Sequence, residues 1–294
     1  MRAEPWKIIG FPFGFLAIVL MLVAHQTGNS QWALWAIAPF LLLAIAFVLS
    51  PQINWWWWQR SPPTLDPRTE RLLDDYFFYY KKLSPELKLR FRSRVALFLR
   101  AHEFMRPVDK NQMDAEANRS RVPEDLKAAV AAAAAHVFFG KPQLTAGKYE
   151  NIIIYPHRFP TPQYPTFHAS EIFDEDGVML FDADTLMSGF SQPQRVFSVG
   201  LYEYVRIFRK TNPSVVAPIF EENTFERLEK ISGMTRATIS SVIGLENLDD
   251  FGIVAHHFFN FAERFQTVLP DLYQLLVNIF QQNPADATNP IVNY

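Results

Sequence analysis

"VFSVGLYEYVRIFRK", Val196–Lys210, is the stretch on which the reading of this chain turns. It reads as a helix, and within it Glu203 and Arg206 are spaced i, i+3, close enough to pair. Taken alone, the spacing describes an ordinary surface ion pair beside a core tyrosine, Tyr202. What lies on either side of the stretch gives it more weight.

Toward the C-terminus, "LDDFGIVAHHFFNFAERF" (Leu248–Phe265) and "PDLYQLLVNIFQQ" (Pro270–Gln282) read as further helices. Toward the N-terminus, "YENIIIYP" (Tyr149–Pro156) and "GVMLFD" (Gly177–Asp182) are short β-rich runs bounded by Pro, Gly and Asp, and predict strands of a small sheet. Before them, "VPEDLKAAVAAAAAHVFFG" (Val122–Gly140) opens with Pro and two acids, runs through alanines suited to close helix packing, and stops at glycine. "RTERLLDDYFFYYKKL" (Arg68–Leu83) and "SPELKLRFRSRVALFLRAHEF" (Ser84–Phe104) predict two amphipathic helices, the second with Ser84 as N-cap and Pro85 at its first position. The fold class expected is mostly α with a small β-sheet.

The first sixty residues differ. "IIGFPFGFLAIVLMLVA" (Ile8–Ala24) and "WALWAIAPFLLLAIAFVL" (Trp32–Leu49) are uncharged and apolar, each near the ~20 residues that cross a bilayer as a helix. The short linker His25–Gln31 lacks Lys and Arg, so the pair predicts a transmembrane hairpin over residues 1–53. Arg2 and Lys7 before it, and Arg60, Arg68 and Arg71 after it, put both termini in the cytoplasm by the positive-inside rule, in a multi-pass protein of the cell (inner) membrane. "NWWWW" (Asn54–Trp58) reads as an interfacial belt, and with the proline-rich "SPPTLDPRT" (Ser61–Thr69) it forms a connecting segment, 54–69. A soluble domain is expected over 70–284 and a poorly ordered tail over 285–294.

Bulk composition narrows the functional classes. A formal charge of −2 gives no basic stripe for nucleic acid, so none is expected as a partner. With no cysteine, disulfides, thiol catalysis and thiolate metal sites are excluded. No G-x-S-x-G, P-loop or G-x-G-x-x-G is present. His102, His136, His157 and His168 are scattered without metal-ligand spacing, and His25 and His257 form no ligand set.

In order, "LSPELKLRFRSRVALFLRAHEF", the alanine-rich segment, "YENIIIYPHRF", "GVMLFDADTL" and "LPDLYQLLVNIFQQNP" carry a resemblance from about Leu72 to Pro284. The chain resembles the Mlc titration factor A family, glucose-regulated zinc metallopeptidases of the zincin type. The resemblance implies a zincin-like metallopeptidase domain behind the membrane hairpin. Its chemistry rests on H-E-x-x-H, two histidines one turn apart on zinc and a glutamate activating the bound water, with a third ligand, a glutamate, on a later helix. Here "YEYVR" takes the motif's place: Tyr202 for the first histidine, Glu203 at the general-base position, Arg206 for the second histidine, and His256 aligned with the third ligand.

None of the three ligand positions keeps its residue type. Arginine has no lone pair to give a cation, and tyrosine would have to ionise. No metal or other cofactor is therefore expected, whereas the active family takes zinc. The expected arrangement has Arg206 in the metal's place, held by Glu203, with Tyr202 and His256 hydrogen-bonding around it. Three readings follow: a pseudopeptidase that binds a cytoplasmic protein or peptide, a transcriptional regulator being the partner class the family implies; a peptidase using Glu203 unconventionally; or a structural membrane-assembly protein. Whether the chain is an enzyme stays open at this point.

Overall fold

The structure is a computed structural model that describes residues 4–107, 122–142, 147–221, 223–286 and 291. It divides into two compact units, Met1–Pro63 and Thr64–Tyr294.

The first unit consists of α1 (Pro5–Thr27), α2 (Ser30–Val48) and α3 (Ser50–Arg60). At 1.5 Å per residue, α1 and α2 are about 34 and 28 Å long, a bilayer's hydrocarbon thickness. Their best windows have mean hydropathy 2.3 and 2.0 and are only 11% and 17% buried, so these are not the core helices of a soluble fold. Phe11, Phe15, Leu34, Trp35 and Phe40 face outward, while α1 packs on α2 through Gly10 and Gly14, where a Cβ would lie 3.2 and 3.4 Å from Leu43. Small residues at such crossings are the usual device for apolar helices that cannot rely on water to drive them together. Asn54 Oδ1 accepts from the Trp6 N–H at 3.0 Å, pinning α3 to the start of α1. The tryptophan run thus belongs to a helix, and the expected division at residue 53 falls inside α3.

The second unit begins with α4 (Pro67–Tyr76), α5 (Phe78–Lys82) and α6 (Pro85–Ala101), the last capped by Ser84, whose Oγ accepts from the Leu87 N–H. Then come β1 (Glu103–Met105), α7 (Glu124–Val137), β2 (Asn151–Tyr155), β3 (Ser170–Phe173) and β4 (Val178–Asp182). Seven helices follow among the described residues: α8 (Ala183–Ser191), α9 (Val199–Thr211), α10 (Asn223–Ser232), α11 (Arg236–Ile243), α12 (Asp250–Asn260), α13 (Ala262–Val268) and α14 (Pro270–Phe280).

The sheet has the order β1-β2-β4-β3, parallel except for β3, which runs antiparallel to β4 at one edge. Two of its four strands match the predicted runs. β1 and β3 were not predicted, because one is three residues long and the other begins with the polar pair Ser170 and Glu171, yet both of those residues are buried.

The core is organised around α7. Ala128, Ala131, Ala132, Ala134 and Ala135 are fully buried, and α6, α8, α9 and α4 all pack on the helix. A helix buried to its end must satisfy its last carbonyls without water. Gln282 Nε2 donates to His136 O and Val137 O at 3.0 and 2.9 Å, Arg94 donates to Phe138 O and Lys141 O, and Arg90 reaches Phe139 O. The cations also oppose the partial negative charge at that end. Burial, and then repulsion from Arg90, push Arg94 down to about 10, still fully charged at neutral pH.

Gln282 is held in turn by Tyr79 and by a bridge to Ile291, itself buried, and Ala285 donates to Tyr273. The described part of the expected tail is therefore packed against the core. Replacing Gln282 with alanine should cost roughly 2–4 kcal/mol, since two buried carbonyls lose their donor and a void opens. Thermal unfolding of the full chain in detergent reads this, and an unchanged midpoint would mean that these carbonyls find other donors.

Candidate functional site

α9 is set deep in the domain by its own first turn. Ser198 caps it, its Oγ accepting from the Leu201 N–H, and Gly200 lets it approach α7 and α8 so closely that a Cβ would lie 3.2 Å from Ala133 and 3.1 Å from Leu186. The next residues, Leu201 to Val205, are consequently all buried.

Glu203 has no exposed surface. Its Oε1 accepts from Ser170 Oγ at 2.7 Å and its Oε2 from Arg206 Nη1 at 2.7 Å. Ser170 comes from the edge strand β3 and shares a sheet face with its pairing partner Phe181. A carboxylate can be held in such a place only with a countercharge and hydrogen bonds. Arg206 supplies the charge, with 26% of its side chain exposed, and its guanidinium lies 5.6 Å over the Tyr202 ring. Glu203 raises the Arg206 pKa against the opposing effect of burial, so the guanidinium stays charged.

The structure thus brings Tyr202, Glu203 and Arg206 together. Tyr202 does not hydrogen-bond Arg206; its hydroxyl accepts from the Asp249 N–H at 2.8 Å, and burial followed by the nearby Glu203 raises its pKa well above the ordinary value. Its ring lies against Gly252, where a Cβ would meet it at 2.6 Å. Asp249 also pairs with Arg209 and caps α12.

His256, in contrast, sits a turn further along α12 and faces the start of α9. Its Nε2 accepts from the Ser198 N–H at 3.1 Å, its ring stacks on Phe197 at 4.1 Å, and its buried Nδ1 has no partner among the described residues. His257 is turned elsewhere, to Ser232 and Ile253 O. Asp249, the cap of α12, and Gly252 lie at Tyr202, not His256, so in place of the expected hydrogen bonds from Tyr202 and His256, Arg206 has the Glu203 carboxyl group and the Tyr202 face.

This donor set does not fit zinc. Tyr202 is a phenol whose ionisation is disfavoured by its setting, Arg206 is a guanidinium with no lone pair to give, and no group of three His, Asp or Glu side chains suited to a metal ion occurs among the described residues.

A second buried polar pair escaped the sequence reading. His168 Nδ1 faces Thr166 O and so donates, while Nε2 lies 3.0 Å from Glu171 Oε2, both side chains being buried. Glu171 follows Ser170 on β3 and points to the opposite face. The outer edge of β3 is covered at its start, where the Ala169 N–H donates to Ile243 O at 2.7 Å and Gly244 presses on Phe167 O. No family model matches the chain, and no curated protein matches it.

Two tests follow. Arg206→Met should destabilise the domain by about 3–5 kcal/mol by leaving Glu203 uncompensated, whereas the double variant with Glu203→Gln should recover most of that loss. Additive losses in thermal unfolding would show that the pair is not coupled.

The second test is pH. Burial pushes His102 and His257 down to about 4, His136 down to about 3 and His256 well below its ordinary value. Below about pH 6.5 the unfolded chain binds protons that the folded chain refuses, so stability is level above that pH. It should fall by up to about 1.4 kcal/mol per histidine for each pH unit beneath. A thermal midpoint flat from pH 6.5 to 4 would contradict this.

Proposed function

We propose that this chain is a membrane-tethered pseudopeptidase, a zincin-like domain of the Mlc titration factor A type that binds a cytoplasmic protein or peptide without cleaving it. The single observation that carries the reading is Glu203. Both its oxygens already accept a hydrogen bond and none of its surface is exposed, so a water molecule it might activate has no approach. Tyr202 and Arg206 in place of the motif's histidines support the same conclusion. The two apolar N-terminal helices support a multi-pass tether in the cell membrane, and the basic residues outside them, with none in the linker, support cytoplasmic termini.

The covered start of β3 bears on how a partner is held. Extended peptides are gripped by adding to a free sheet edge. With Ala169 bonded to Ile243 and Ser170, Glu171 and Ile172 buried, the partner docks on another surface of the domain. A transcriptional regulator is the partner class that the family resemblance implies.

Elemental analysis of the full chain purified in detergent, before and after zinc soaking and beside a Glu203→Gln control, tests the metal-free reading. Less than about a tenth of an equivalent of zinc in every sample, with no hydrolysis of unstructured protein substrates, is the expected result. Near-stoichiometric zinc that supports hydrolysis lost in the control would make the chain a peptidase.

A further inference from the structure

The soluble unit contains a cavity of about 460 Å³ lined by parts of α5, the α8–α9 loop, the end of α10 and the α12–α13 junction. None of Tyr202, Glu203, Arg206 or Ser170 lines it, so it stands apart from the site above. Its size is that of a small-molecule site.

Three cations line it, Lys82, Arg195 and Arg264, against one carboxylate, Glu263. They come from three separate elements and converge on one space. Arg195 has no ion-pair partner among the described residues, and Arg264 spends one nitrogen on Ile231 O at 3.1 Å, leaving the rest of its guanidinium unpaired with any acid. Lys82 lies 4.3 Å over the Phe78 ring. Phe78, Phe259 and Phe261 give the cavity an aromatic surface.

Asn260 supplies the second, independent observation. It is 6% exposed, it lines the cavity, and its amide Nδ2 is buried with no hydrogen-bond partner among the described residues. Its backbone carbonyl is already taken by Gln194 Nε2 at 3.0 Å. A buried donor left unpaired costs about 1–3 kcal/mol, and because this atom is closed to solvent an acceptor in the cavity pairs with it only when the Asn260 amide turns toward it. An excess of positive charge, an unpaired donor and aromatic faces together describe a receptor for an oxyanion on an apolar body.

We propose that this cavity binds a small organic anion, a phosphomonoester joined to an apolar or aromatic group, with Arg195 and Arg264 clamping the phosphate and the phenylalanines covering the body. The inference does not rest on the pseudopeptidase reading, because the two sets of residues are disjoint. Phosphate is preferred to carboxylate because two guanidiniums from different elements, with Lys82 as a further point charge, can serve three oxygens at once. The phosphomonoester could be that of a free metabolite or of a lipid headgroup.

The test is calorimetric titration of the full chain in neutral detergent, at 150 mM salt, with phenyl phosphate, glycerol 3-phosphate, dioctanoyl phosphatidic acid and benzamidine. Phenyl phosphate should bind and benzamidine, an aromatic cation of similar size, should not. Dissociation constants should rise about 10-fold or more in Arg195→Ala and again in Arg264→Ala, the loss expected for one charge-assisted contact each. Both side chains are exposed at the rim, so these variants should keep the parent's thermal midpoint. Preference for phosphatidic acid over phenyl phosphate would assign the site to a lipid headgroup, and the reverse to a soluble metabolite. No binding of any phosphate at millimolar concentration, or binding undiminished in the double arginine variant, would overturn the proposal.

Discussion

Everything around α9 depends on keeping one carboxylate, that of Glu203, out of water. A buried charge must be matched in place. Arg206 does so from one turn along the same helix, and Ser170 completes the second oxygen from the edge of the sheet. The hydroxyl ties the position of β3 to that of α9, across 33 residues of chain. The guanidinium fixes where Tyr202 can lie, since its ring is covered by Arg206 on one side and meets Gly252 of α12 on another. Sheet, central helix and late helix are thus registered to one another around a single carboxyl group.

That arrangement is possible because α7 lets α9 come so near. Alanines along α7 and Gly200 on α9 remove the side-chain bulk that would otherwise hold the helices apart, and Glu203 is buried as a consequence. Close packing on every side of α7 deprives its C-terminal carbonyls of water, and Gln282, Arg94 and Arg90 answer that need from two distant parts of the chain. Polar groups in this interior, at both sites, do registration work that apolar contacts alone would leave loose.

The sequence made the helices legible where periodicity and caps agreed, as at Ser84 and Pro85 of α6, and it made the Glu203–Arg206 pair legible because helical spacing alone brings the two into reach. Ser170 was not legible. It lies on a strand whose polar start hides the pattern, although the turn "DEDG" (Asp174–Gly177) between "EIF" and "VMLFD" carried a hairpin signal that could have revealed it. His256 was expected beside Arg206 because it aligned with the third ligand of the resembled family, whereas the start of α12 brings Asp249 and Gly252 to Tyr202. Glycine gives no chemical signal in sequence, and its role here is to be absent from a space that a tyrosine fills. The cavity cations were hidden for another reason: Lys82, Arg195 and Arg264 are far apart in the chain, and only the fold brings them to one cavity.

The two polar regions of the second unit differ in what their charges are free to do. At Glu203 each oxygen already has a hydrogen-bond partner and the countercharge sits one turn along the same helix, so much of the electrostatic energy is already realised and little remains for a ligand or a reaction. Around the cavity the balance is the opposite. The chain as a whole carries a formal charge of only −2, yet three cations stand there against one acid with an amide donor unpaired beside them. A potential of that kind is local, arises from geometry and not from composition, and acts over about the 8–10 Å that physiological salt permits. Binding energy resides where charge is gathered but not yet satisfied, and in this fold that place is the cavity between α5 and the α12–α13 junction, not the helix that carries Glu203.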